Sequence, residues 1–444
     1  MGAILSGYLF PHPPIIVKEI GRGEEVKAQK TIEGSKALAL DIKNKQPSTI
    51  IVITSHGPLF RDAISISVEG KLEGDFSNFG NRSLKFEFNN NLDLVNRIIH
   101  KASVEGIPVA KIDEDFAKDY NISLKLDHGT LVPLYFVTEE YKDFSLVHIT
   151  YGLLPPKKLY EFGKIVKEAV LESEEDAVII ASGDMSHRLS KDGPYAYSPY
   201  GEVFDRKIVE LIEEDRLKDI VDFDLDLSEK AGECGLRSLM VLAGSLAGYK
   251  VKSKVLSYEG PFGVGYCNAR FQVLEEDEYV KLARESLEHY VRYNRKMEVP
   301  EDLNEELLST KAGAFVTIKK HGILRGCIGT IEATKKNLAE EIIENAISAG
   351  TRDPRFSPVT EEELSSLEYS VDVLKRPEPV SSMEELDPKK YGVIVSKGFR
   401  KGLLLPNIEG VDSPEEQVEI ALKKAGIMKF EKYKLERFEV ERHI

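Results

Sequence analysis

The chain has no tryptophan, only three cysteines and only six methionines among its 444 residues. Thiols at positions 234, 267 and 327 are too far apart for a disulfide framework or a Cys-x-x-Cys zinc pair. A Cys-x-x-x-Cys-x-x-Cys cluster motif is absent as well. No apolar run approaches the roughly 18–20 residues of a membrane span. The first residues, Met-Gly-Ala-Ile-Leu-Ser-Gly-Tyr, lack the positive segment and cleavage site of a secretory signal, so the expectation is a cytoplasmic protein. Positive charge is in the minority: 60 Lys and Arg stand against 75 Asp and Glu, for a net charge of −15. With no basic block, nucleic acid and anionic membrane surfaces are excluded as partners.

What is present is enough apolar material, 42% of residues, to bury an ordinary core in each of two domains. Through residue 273, short apolar runs alternate with amphipathic stretches. Strands are expected at 3–10, 49–54, 63–68, 107–112, 145–150, 176–182, 251–258 and 263–273. Helices are expected at 23–43, 91–105, 130–140, 157–172, 201–214 and 233–248. Val203, Phe204, Ile208, Val209, Leu211 and Ile212 share one face of the fifth helix at a period of 3.6. This alternation predicts an α/β sandwich with a central sheet over 1–273. The acidic stretch 274–278 marks a boundary. Beyond it the pattern changes to a helix at 279–293, strands 313–320 and 323–331 around His321-Gly322, a helix at 337–349, and a strand at 368–374. A hairpin across 397–401, a helix at 414–425 and a strand at 433–440 complete a smaller α+β domain over 276–444.

Five turn-like motifs interrupt the first domain. They are Pro11-His12-Pro13-Pro14, Ser55-His56-Gly57-Pro58, Asp127-His128-Gly129, Asp184-Met185-Ser186-His187 and Gly232-Glu233-Cys234-Gly235. A single histidine beside a turn is ordinarily a capping or core residue. Several at strand ends, where open α/β sheets bind ligands, point to a metal site. Imidazoles plus a carboxylate leave open positions on a metal, which suits non-haem Fe(II) and catalytic zinc. Histidines that do not ligate are able to carry protons. Asp127 and Asp184 read equally as partners that orient His128 and His187 and as helix caps. His100 and His148 fall inside an expected helix and strand and are assigned to the core.

These same motifs make residues 1–273 resemble the class III extradiol dioxygenases of the LigB type, a fold that also contains the Memo proteins. The run Asp127-His128-Gly129-Thr130-Leu131-Val132-Pro133-Leu134 is the most specific match. The resemblance implies His12 and His56 as metal ligands, with His128 and His187 as active-site histidines. The third ligand falls on Glu233 if the extradiol pattern holds, or on Cys234 if the Memo pattern holds. A carboxylate favours Fe(II) and oxygen chemistry, whereas a thiolate is softer and fits copper, zinc or iron. The extradiol alternative implies a small aromatic, catechol-like substrate and O2. The Memo alternative implies a metal- or redox-binding protein without ring cleavage.

Residues 276–444 resemble the AMME-region family through Leu324-Arg325-Gly326-Cys327-Ile328-Gly329-Thr330, with Asp353-Pro354-Arg355-Phe356 in support. The resemblance carries no defined activity. Cys327 reads as a core thiol or as a nucleophile whose acidity Arg325 raises. Arg352, Asp353, Arg355 and Arg325 read as a groove for an anionic partner or as a salt-bridged loop, and His321 as a turn residue. Fusion of the two domains resembles the AmmeMemoRadiSam system, which implies a separate radical S-adenosylmethionine enzyme as partner. LigB-type relatives imply self-association.

Overall fold

The computed structural model describes every residue except Met1, Asp302, His321 and Glu409, and for Ser365 the backbone alone. The expected turn role of His321 therefore lies outside the described residues. The chain divides into two compact units, 1–274 and 275–444.

In the first unit, strands β1 (Ala3–Phe10), β2 (Thr49–Thr54), β3 (Ile64–Ser67), β4 (Lys71–Phe76), β5 (Asn81–Asn89), β6 (Val109–Ile112), β7 (Ser145–Thr150), β8 (Asp176–Ser182), β9 (Val251–Glu259) and β10 (Tyr266–Val273) appear in order. Eight of them form one sheet, β6-β3-β7-β2-β8-β1-β10-β9, and β4 and β5 form a separate hairpin. The centre is parallel: β7 on β2, β2 on β8, β8 on β1. Strand β10 runs antiparallel to β1, and β3 antiparallel to β7.

Both faces of the sheet are covered, which is why the central strands are continuous apolar runs. All six residues of β2 are buried. Ile51 and Ile53 join a core with Leu94, Phe162, Phe204 and Leu239 from four helices on one face. Ile50 and Val52 join another with Leu38, Leu131 and Phe136 from the helices Gln29–Lys45 and His128–Glu140 on the opposite face. Each such aliphatic side chain contributes about 1.5–3 kcal/mol when fully buried.

The β4–β5 hairpin was not expected from the sequence. Its Leu72, Phe76 and Phe88 are buried in the second core, while Glu73, Lys85 and Glu87 alternate with the core-facing residues and are exposed. That period-2 alternation was available as a signal but is diluted by six charged residues in the two strands. Two expected helices also start differently. Residues 24–28 form a 3-10 turn before the helix proper begins at Gln29. The helix expected over 233–248 runs Leu236–Ser245, with Gly235 as its N-cap, so Glu233 and Cys234 sit in the turn before it.

The second unit has two four-stranded sheets. One is β12-β11-β13-β18, from β11 (Ala314–Lys320), β12 (Ile323–Gly329), β13 (Leu367–Leu374) and β18 (Val440–His443). The other is β14-β17-β15-β16, from β14 (Glu378–Pro379), β15 (Gly392–Lys397), β16 (Arg400–Leu404) and β17 (Lys434–Phe438). Helices Glu278–Tyr293 and Leu338–Thr351 pack on the first sheet, and Pro414–Ala425 on the second. This is the smaller α+β domain that the sequence led us to expect. No helix among the described residues is long and apolar enough to cross a membrane.

Candidate metal centre

Because β1, β2, β7 and β8 are parallel, their carboxyl ends share one edge of the sheet, where ligands collect in folds of this kind. Two residues beyond β1 stands His12, two beyond β2 stands His56, and the turn after β8 carries Asp184 and His187. His128 opens the helix on one face of the sheet. Cys234 comes from the turn before the helix on the other face.

The imidazoles of His12, His56 and His128 converge, with one ligand atom from each lying within 4.8 Å of the others. His12 Nε2 is 3.0 Å from His56 Nε2 and 3.4 Å from Cys234 Sγ. Around a tetrahedral metal with ordinary nitrogen and sulfur bond lengths, such pairs stand about 3.3 and about 3.6 Å apart. The donors are thus already near the spacing that a metal requires.

The second layer fixes the tautomer of His12. The Ser182 hydroxyl donates its one proton to the Gly129 carbonyl, so at 2.8 Å it must accept from His12 Nδ1–H. That leaves the Nε2 lone pair bare and aimed at the cluster. The His12 backbone N–H donates to Asp184 Oδ1 at 2.9 Å. Asp184 is buried, and its carboxyl is pushed up to about 7, chiefly by desolvation. It orients the His12 backbone and caps no helix.

Asp127 takes the capping role, and its side-chain partners are Thr54 and His148 rather than the His128 ring. It caps the helix His128–Glu140 through Thr130 N–H, at 3.1 Å, and accepts from Thr54 Oγ1 at 2.7 Å and from His148 Nε2 at 3.0 Å. Burial opposes its ionisation, but the bonds from His148 and Thr54 outweigh that and hold it below the usual carboxylate range. The four site histidines are lowered too, which for them favours the neutral form. Burial keeps His56 below the ordinary histidine value against the pull of Asp127, and burial reinforced by neighbouring imidazoles keeps His12 well below it and brings His128 and His187 down to about 4. At neutral pH they are neutral, the form that ligates metal.

Glu233 and Cys234 part company. One Glu233 oxygen accepts from Ser228 Oγ at 2.6 Å, and the other from Leu236 N–H at 2.7 Å, where the carboxylate satisfies the start of the helix. Cys234 Sγ faces His12, and accepts from the Asp184 N–H at 3.2 Å. Burial raises the free thiol well above its ordinary value. The approach depends on paired glycines: a Cβ on Gly183 would lie 2.2 Å from Gly235 Cα.

His187 stands beside the cluster. Its ring stacks on Tyr195 with centroids 5.0 Å apart, and its buried Nε2 has no hydrogen-bond partner among the described residues. Phe79, from the turn of the β4–β5 hairpin, packs its ring edge-on to His128 at 5.2 Å. The sequence reading missed Phe79, Tyr195 and Ser182, and assigned His148 to the core. The hydroxyl residues that close β2 and β8, Thr54 and Ser182, were a usable signal, since each precedes a histidine motif. The aromatic contacts had none.

In the second unit, Cys327 lies half-buried on β12, with Thr317 Oγ1 at 3.3 Å. Burial pushes this thiol up. Arg325 turns to Glu363, with contacts of 3.1 and 2.9 Å. Arg355 is the nearer guanidinium: it is held by Asp353, which accepts the Cys327 N–H at 2.9 Å, and it reaches the Cys327 carbonyl at 3.4 Å. Arg352 pairs with Glu344. The polar residues of this region are therefore joined in ion pairs.

The first unit is an α/β fold whose imidazoles and thiol converge at the carboxyl edge of a mixed sheet, with donors that could hold a metal ion. Residues 6–269 match the family described as the catalytic LigB subunit of aromatic ring-opening dioxygenase, and residues 280–443 match the AMMECR1 family. The chain belongs to the LigB family and carries an AMMECR1 domain after it. A Clostridium acetobutylicum protein is 47% identical over 98% of both chains. A Thermotoga maritima protein is 55% identical over 38% of this chain and 99% of its own. Among solved structures, an uncharacterized Pyrococcus horikoshii protein shares 33% identity over 38% of this chain and 92% of its own, with a TM-score of 0.35. An uncharacterized Escherichia coli protein shares 14% identity over 60% of this chain and 99% of its own, with a TM-score of 0.40.

Proposed function

We propose that the first unit is a metal-dependent redox protein whose ligands are His12, His56 and Cys234, with His128 as an adjoining imidazole and Glu233 outside the set. One observation carries this reading. Cys234 Sγ lies 3.4 Å from His12 Nε2, while both Glu233 oxygens are engaged by Ser228 and the Leu236 amide. The donor set fits a metal: three neutral imidazoles converge beside a thiol, and the buried His187 Nε2 has no partner among the described residues. Thiolate with imidazole suits iron, copper or zinc, and iron remains the leading choice given the family. When bound, the metal would supply Lewis-acid or one-electron chemistry.

The protein's own groups do the rest. His12 is oriented through Ser182 and Asp184, and His128 through the Asp127 cap. His187, neutral and with an open Nε2, is placed to take a proton from a ligand at the mouth and return it. A second reading, ring-opening oxidation of a phenolic substrate by O2, is supported by the aromatic surfaces that Phe79 and Tyr195 present beside His128 and His187.

The test is metal analysis of protein purified without oxygen. Near-stoichiometric metal is expected in the native protein and in Glu233→Gln, with loss of at least tenfold in affinity in Cys234→Ala. Retention in Cys234→Ala with loss in Glu233→Gln would reverse the assignment. Spectral change with a catechol panel in air separates the second reading from the first.

A further inference from the structure

His148 belongs to none of the histidine motifs and sits mid-strand in β7, buried, where a core role is the default. Its two ring nitrogens say otherwise. Nδ1 lies 2.8 Å from Ser67 Oγ, and Nε2 lies 3.0 Å from Asp127 Oδ2. The Asp127 carboxylate accepts, so Nε2 carries a proton, and the Ser67 hydroxyl bonds the other ring nitrogen. Both ring nitrogens are thereby engaged. The ring also orients the one carboxylate in contact with both walls of the centre.

Asp127 reaches in two directions. Through Thr130 it caps the helix that begins at His128, and its Oδ2 also accepts from Thr130 Oγ1 at 3.1 Å. Through Thr54 it reaches the other wall: the Thr54 hydroxyl donates to Asp127 Oδ1 at 2.7 Å and accepts the His56 backbone N–H at 3.2 Å. The packing leaves little slack. A Cβ on Gly129 would come within 2.4 Å of Thr54 Oγ1 and 2.8 Å of Asp127 Oδ1, and a Cβ on Gly57 within 3.3 Å of His148 Cε1. Asp127 is accordingly a buried carboxylate behind the elements that carry His56 and His128, with both oxygens engaged by Thr54, Thr130 and His148.

We infer that His148 is a positioning residue for the metal centre: by locking the Asp127 carboxylate it sets the placement of His56 and His128 and keeps a negative charge behind the bound cation. This rests on the metal-site reading above. Hydrogen-bond partners behind metal ligands of this kind typically account for 10–100-fold in metal affinity.

The experiment uses the full chain with Fe(II) or Zn(II) alone as the probe. In metal-free protein, nitrogen-resolved NMR of the imidazoles should show His148 as a single Nε2–H tautomer. In His148→Leu the His56 and His128 signals should shift or broaden, while those of His100 and His289 stay in place. Metal affinity should fall 10–100-fold in His148→Leu and recover in large part in His148→Gln, which restores a donor toward Asp127. Asp127→Asn, which keeps a side chain able to cap the helix, should lose affinity with little change in the melting temperature of the metal-free protein. If wild-type protein binds no metal, the metal-site reading fails, and the imidazole spectra alone judge the positioning role. If it binds metal while folded His148→Leu binds within twofold of wild type, or if the His56 and His128 signals do not move, the inference is overturned.

Discussion

At the scale of single residues, adjacent side chains have opposite fates. Glu233 and Cys234 are neighbours, yet one serves the start of a helix and the other faces the histidines. Which does which depends on where the helix begins, and it begins three residues later than its apolar pattern alone suggests. Cys327 illustrates a different point. Its thiol is raised by burial, and the guanidinium beside it belongs to Arg355 rather than Arg325. We expect slow alkylation of Cys327 at pH 7 that accelerates as the pH rises, read by peptide mapping; rapid labelling near neutrality would contradict this. Glu363 gives a pH-dependent prediction. The bonds from Arg325, chiefly, and Lys320 hold it down to about 2, from an ordinary 4.5. A depressed carboxylate stabilises the fold above its unfolded-state value, and that contribution fades as the pH falls toward the folded value. The difference in melting temperature between wild type and Glu363→Gln should therefore be largest above pH 5 and shrink toward pH 2.

At the scale of elements, the centre is made by strand ends and helix starts meeting across the sheet edge. Gly183 and Gly235 are the point of closest approach, and only the absence of a Cβ lets the turn after β8 and the turn before Leu236 pass. Gly183→Ala should destabilise the first unit by about 1–3 kcal/mol through overpacking. It should also weaken metal binding more than an alanine in the exposed loop at Gly70, which has open space around it. Parallel denaturation and metal titration of the two variants check this. Equal metal affinity would mean that Cys234 does not depend on that contact. The β4–β5 hairpin plays a separate part, since it brings Phe79 to His128.

At the scale of the whole molecule, two units each carry a core of their own. A ligand that binds only the folded state stabilises it by about 2.7 kcal/mol at 100 times its dissociation constant. Metal removal should lower the calorimetric transition that is lost when His12 is replaced, and re-addition should restore it. A transition insensitive to metal in a protein that demonstrably binds it would argue that the ligands are not buried in the fold. Much of this architecture was legible beforehand. Continuous apolar runs gave away β1, β2, β7 and β8, because strands covered on both faces need no polar alternation. Strand-end placement of His12 and His56 followed from those runs. The β4–β5 hairpin was hidden by its charged, solvent-facing residues. His148 is buried mid-strand as its pattern led us to expect, and its link to Asp127 depends on residues distant in sequence.

Local pattern by itself determined the elements, their order, the family resemblance and the short list of residues able to bind metal, since apolar periodicity and turn chemistry act within a few residues along the chain. Only the tertiary structure decided which donors meet. Convergence of His12, His56, His128 and Cys234 comes from strands and helices as many as 222 positions apart. The placement of Cys234, and not Glu233, beside His12, the tautomer of His12 and the link from His148 to Asp127 are all consequences of three-dimensional packing. No spacing along the chain encodes them.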